Sequence, residues 1–162
     1  MFDIQTASIV VASAGVCAAA IYYIFQVRYQ NKVRQTDLLM RLYSQVSNKE
    51  TMDAILKVRN LKVNDYGGFT EKYGSLGAEG PEQSAFFLIA MLMEGLGFLL
   101  HRKLVDVDVA RELFPVEYYW RMCEPIIVGW RKEEAGSNAH KWFEYLYYEV
   151  EKREQQLQTK KS

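Results

Sequence analysis

Between Ile4 and Val27 the chain carries no charged side chain. At about 1.5 Å per residue, a helix over these 24 residues reaches roughly 36 Å, enough to cross a hydrocarbon core of about 30 Å with some tilt. The core helix of a soluble domain would carry a polar face. Here the polar positions Thr6, Ser8 and Ser13 are small and tolerated in lipid. Tyr22, Tyr23, Phe25 and Tyr29 cluster at the far end, where amphipathic rings favour the headgroup boundary. A cleavable signal needs a basic start, whereas Met1-Phe2-Asp3 offers an acid. Ala14-Gly15-Val16 before Cys17 invites lipoprotein processing, but Val16 stands where a small residue belongs. A permanent transmembrane anchor over residues 1–30 is the expectation, with Ile4 and Val27 bounding the span.

The flanks orient it. Asp3 opposes the terminal amine on one side, and Arg28, Lys32, Arg34 and Arg41 follow on the other. The positive-inside bias then expects a single-pass inner (plasma) membrane protein, N-terminus outside, with everything beyond Arg28 cytoplasmic. Ser8, Ala12, Gly15 and Ala19 form one helical stripe of small residues. Such a stripe permits a homodimer through the span, although an alanine-rich segment produces the same pattern without one.

After the span the expected architecture is all-α: the anchor helix continues into a cytoplasmic bundle of about five to six helices over residues 31–152. Neither proline nor glycine falls between Gly15 and Gly67, and Leu38, Leu39, Leu42 and Val46 give a packing stripe. Ser47-Asn48-Lys49-Glu50 has capping-box spacing, ending one helix and starting another. Met52, Ile55, Leu56 and Arg59 mark the inner face of that second helix. A short, glycine-weakened helix is expected from about Tyr66 to Tyr73, then a loop to Gly80 and a helix opened by Pro81. This helix, PEQSAFFLIAMLMEGLGFLLHRKL, is apolar on every side from Ala85 to Leu100 except at Glu94, so other helices must surround it. Its 16-residue apolar run is short for a second crossing, which needs about 20 residues.

Leu104 to Val109 alternates like a strand but has no partner strand, so Asp106 is read as the cap of a short helix ending near Phe114-Pro115. VEYYWRMCEPIIVGWRKEE follows as a helix, with a kink expected at Pro125. A turn at residues 135–138 leads to a last helix from about Asn138, presenting Trp142, Phe143, Leu146 and Val150. From residue 153 to 162 the composition is polar, and a disordered tail is expected.

Chemistry is harder to find. Twenty basic residues balance twenty acidic ones, and a nucleic-acid partner is not expected without a basic surplus. Two cysteines cannot build a disulfide framework. Glu94 must pair, hydrogen-bond or take up a proton in so apolar a helix, with a buried Arg or Tyr as the expected partner. His101 lies two turns beyond it. Together with His140 and Glu144 they sketch a metal set of two imidazoles and two carboxylates. Yet the Glu-x-x-His pairs of di-iron bundles are missing, because Gly97 stands three residues after Glu94, and His101-Arg102-Lys103 already suit a helix C-terminus. Eight residues separate Arg131 from His140, wider than the Arg–His spacing of helical nucleases. Cys123 reads as core, and Asp106 with Asp108 as cap and dipole partners. Tyr118, Tyr119, Trp120, Tyr145, Tyr147 and Tyr148 read as packing before groove. Phosphate loops, CxxC pairs and nucleophile elbows are absent, and no cofactor is implied.

The N-terminal span, YQNKVRQTDLLMRLYSQV, EGLGFLLHRKLVDVDVARELFP, EYYWRMCEPII and FEYLYYEVEKREQ together resemble a family of short prokaryotic proteins known only as a domain of unknown function. The resemblance covers nearly the whole chain. It implies an all-helical cytoplasmic domain behind one anchor and brings no activity with it. The expected role is therefore a membrane-anchored interaction module, an adaptor, sensor or regulator with a protein partner. A metal-dependent enzyme built on Glu94, His101, His140 and Glu144 is the alternative.

Overall fold

A computed structural model describes residues 3–136 and 138–160, without the side chains of residues 4–7, 134 and 135. Met1, Phe2, Ser137 and residues 161–162, assigned above to the anchor flank, the turn and the tail, lie outside it. Among the described residues every regular element is helical: α1 (Ile4–Val46), α2 (Lys49–Arg59), α3 (Tyr66–Tyr73), α4 (Pro81–His101), α5 (Val107–Leu113), α6 (Val116–Trp130) and α7 (Lys141–Thr159), with a π-helical turn at Arg131–Ala135 after α6. The all-α architecture expected from the periodicity is the one observed.

The chain divides into two units, residues 1–38 and 39–162. The first is the N-terminal stretch of α1, whose large apolar side chains from Ile9 to Phe25 are exposed. By length and composition two helices could cross a membrane. In α1 none of the most apolar window is buried, whereas 44% of the corresponding window in α4 is. That contrast separates a bare apolar rod from a core helix.

The second unit is a bundle built around α4. Phe86, Ile89, Ala90, Met93, Leu96 and Leu100 are buried along it, with α2 packed on one side and α7 on another. The expectation that neighbours cover α4 all round is too strong, since Met91 and Phe98 remain exposed. Leu39, Leu42 and Val46 at the end of α1 pack against this core. Trp120, Phe143 and Tyr66 fill its middle, and Trp120 stacks on Tyr147 at 5.7 Å. Cys123 is core as expected, and burial pushes its thiol up to about 12.

Several local expectations shift. The cap of α2 is Asn48, which accepts the Thr51 N–H at 2.7 Å. Ser47 still donates its own N–H to Tyr43 O, so the first extended residue comes one later than the box at Ser47 requires. The inner face of α2 is Thr51, Ala54, Ile55 and Val58. Of the residues expected there only Ile55 is buried, while Met52 and Leu56 are exposed. Thr51, Ala54, Ile55 and Val58 recur at the three- and four-residue spacing of one helix face. α3 spans the expected residues, capped by Asp65 on the Gly68 N–H at 2.7 Å. α5 is capped by Asp106 on the Asp108 N–H. α6 runs through Pro125. α7 begins at Lys141, later than Asn138, and continues to Thr159 where a disordered tail was expected. Its polar end is held by Arg153, which donates to both oxygens of Asp108 at 2.8 and 2.6 Å. That two-point pairing also holds the Asp108 carboxyl below its ordinary range.

α4 and α7 pack tightly at Gly97, where an added Cβ would overlap the Trp142 carbonyl. Gly95, two residues earlier, would meet nothing within 4 Å. Gly→Ala ordinarily stabilises a helix interior by about 0.5–1 kcal/mol. Gly95→Ala is expected to raise the melting temperature. Gly97→Ala is expected to lower it, through an overpacking cost of about 1–3 kcal/mol. Thermal melts of both variants under the same solution conditions check the pair, and equal shifts would show that the crossing is looser than described.

Candidate functional site

Three of the four residues singled out by the sequence, Glu94, His140 and Glu144, lie where α4, the π-helical turn and α7 meet. Helix α7 has an open N-terminus: His140, its N-cap, makes no capping bond through its side chain and sits in the left-handed region at φ 51°. Glu94 supplies the cap from α4. Its Oε2 accepts the Phe143 N–H at 2.7 Å, and the Trp142 N–H also donates to the carboxylate. These are the second and third residues of the helix, the donors that an N-cap side chain normally satisfies. Burial raises the Glu94 carboxyl above the ordinary carboxylate value, while the two backbone donors, and beyond them Arg131 and Lys141, pull the other way. The expected partner, a buried Arg or Tyr side chain, is thus replaced by backbone.

Arg131 fastens the turn that precedes α7. Its Nε donates to the Ala139 carbonyl at 2.7 Å and its guanidinium to Glu144 Oε2 at 2.6 Å. Glu144, in the first turn of α7, also complements the positive end of that helix. His140 is buried beneath Phe86, Phe87 and Trp130, with ring centroids 6.2, 6.4 and 5.8 Å away, and its Nδ1 has no hydrogen-bond partner. Burial first, then the neighbouring Arg131, lowers its pKa. His101 lies elsewhere, at the exposed end of α4, stacked on Trp142 at 4.2 Å.

The four residues of the sketched metal set therefore have separate partners: backbone amides for Glu94, an arginine for Glu144, aromatic rings for both histidines. Among the described residues no three His, Cys, Asp or Glu side chains cluster as metal ligands do. Arg131 and His140 do come together, despite a spacing unlike that of helical nucleases, but the imidazole faces aromatic rings. What this constellation does is lock α7 onto α4. A different feature escaped sequence reasoning: a groove of about 800 Å³ between α2 and α4, with Ala54, Leu88 and Met91 on its floor and Lys49, Glu50, Asp53 and Lys57 at its rim. Its only sequence signal is the surplus of apolar positions on α4 beyond those that a packed face needs.

Glu94→Leu leaves the two N–H groups without their acceptor and is expected to destabilise the bundle by about 2–4 kcal/mol. Glu94→Gln keeps an accepting oxygen and relieves the burial of charge, so it should recover most of that loss. Chemical denaturation of the two variants checks the ranking, and a Gln variant as unstable as the Leu variant would refute the capping role. Burial lowers the His140 pKa in the folded protein below the ordinary 6.5 of the unfolded imidazole. Below that pH the unfolded chain binds the extra proton, so stability is complete above about 6.5 and falls as pH drops toward the folded value. His140→Phe is expected to flatten this decline, read as the change in denaturation midpoint between neutral and mildly acidic buffer.

No family model matches the chain, and neither a curated protein nor a solved structure matches it.

Proposed function

We propose that this protein is a membrane-anchored helical interaction module, an adaptor or regulator that meets a protein partner at the bilayer surface. The observation that carries the reading is the contrast within the chain: an exposed apolar helix stretch continuous with a bundle whose conspicuous polar groups are engaged in holding its helices together. A helix with so much uncovered apolar surface is unstable in water and suited to lipid. The other candidate span, α4, buries nine residues in the bundle and carries the Glu94 cap, so a crossing by α4 would dismantle the core.

Orientation follows from charge. Arg28, Lys32 and Arg34 come after the apolar stretch and Asp3 before it, which supports a single pass with the bundle in the cytoplasm. The small-residue stripe of Ser8, Ala12, Gly15 and Ala19 supports close approach of two spans. The α2–α4 groove adds a recess with an apolar floor and charged rim.

The full chain is expected to stay with the membrane pellet through alkaline carbonate extraction, and its C-terminal epitope to be digested by external protease only after the cells are opened. Release into the supernatant, a mature N-terminus beyond residue 27, or digestion from outside intact cells would overturn the reading.

A further inference from the structure

We propose that the surface formed by the end of α4 and the first turn of α7 docks onto an anionic lipid bilayer, holding the bundle against the membrane. This rests on the anchored reading above and concerns residues that the anchor does not include.

Four aromatic rings meet there. Trp142 lies 6.1 Å from Phe98, 4.2 Å from His101 and 6.0 Å from Tyr145. Two cations rest on their faces: the Arg102 guanidinium is 5.5 Å from the Phe98 ring centre and the Lys141 ammonium 4.9 Å from that of Trp142. Among the described residues no ion pair neutralises Arg102, Lys103 or Lys141. Of the carboxylates around this surface, Glu94 caps α7, Glu144 pairs with Arg131 and Asp106 caps α5, while Glu94 is felt by Lys141 and Glu149 by Tyr145.

The turn that ends α4 is fixed in a way that serves such a surface. The Leu104 N–H donates to Leu99 O and the Lys103 N–H to Leu100 O, both at 2.9 Å, a Schellman closure whose left-handed position normally takes glycine. Here Lys103 occupies it at φ 58°, so a positive charge is kept at a place where glycine would be less strained. The following Leu104 is 44% exposed and Phe98 42%, although the residue after a Schellman turn usually folds back onto its helix.

Cations alone would suit any acidic surface. Cations interleaved with exposed Phe98 and Leu104 and half-buried Trp142 and Tyr145 suit a surface that is charged outside and apolar just beneath, which is the chemistry of an anionic headgroup layer. A domain already tethered to a membrane meets that layer at high effective concentration, so modest attraction suffices.

The test uses the full chain with Cys17→Ala and Leu104→Cys, labelled at residue 104 with an environment-sensitive fluorophore. It is reconstituted into vesicles of phosphatidylcholine alone or mixed with phosphatidylglycerol, each carrying headgroup-level nitroxide lipid. Flotation reads anchoring and fluorescence reads docking. The expected result is a blue shift and several-fold stronger quenching on the anionic vesicles, reversed by high salt. Arg102→Gln with Lys103→Gln, which removes the two charges without placing acids at the α4 C-terminus or disturbing Lys141 beside Glu94, should weaken it several-fold while flotation persists. Floating protein with equal quenching on both vesicles, or with none, overturns the proposal. So does a label that responds to added polyglutamate but to neither vesicle, which would assign the surface to an acidic protein. A chain that fails to float overturns the anchored reading as well, and the proposal with it.

Discussion

The bundle depends on one carboxylate reaching across a helix crossing. Glu94 provides the acceptor that α7 lacks in its own sequence, and the missing Cβ at Gly97 lets the two helices come close enough for it to do so. The two features need each other. Separating the helices by the width of a methyl group would draw the carboxylate away from the Phe143 and Trp142 amides and leave an ionisable group in a half-buried, apolar setting. Arg131 and Glu144 then fix the approach of the chain into α7, and Arg153 on Asp108 fixes its far end. The helix is thus tied at three levels to elements that precede it.

Legibility in the sequence follows the range of the interaction. Elements set by neighbours a few residues away read well: α3 between Asp65 and Gly74, α5 behind Asp106, α4 from Pro81. Each has its cap or its proline written next to it. What depends on distant packing reads less well. The face of α2 is set by its packing on α4, where Thr51 and Ala54 are buried and the more hydrophobic Met52 and Leu56 are not. The polar end of α7 looks like a fraying tail until Asp108, 45 residues earlier, is seen to hold it.

The candidate site shows the same division. That Glu94 requires a partner is plain from its surroundings in the sequence. That the partner is the main chain of Trp142 and Phe143 is not, because an amide N–H has no residue letter of its own. His140 and His101 look like ligands in one dimension because imidazoles are rare here. In three dimensions His140 is buried among Phe86, Phe87 and Trp130, and exposed His101 lies against Trp142 and Tyr145. The exposed opening helix needs no distant partner to be recognised, which is why the membrane-spanning candidate is the most readable part of the chain.

The long reach from Glu94 to α7 has a consequence during synthesis. The hydrogen bond joins residues 49 positions apart, so at translation speeds of about 5–20 residues per second α4 waits roughly 2–10 s for the strand of chain that completes it. Throughout that interval the apolar N-terminal segment is already outside the ribosome. An apolar stretch long enough to cross a bilayer is therefore displayed before the bundle can close, and it meets its surroundings ahead of the last helix.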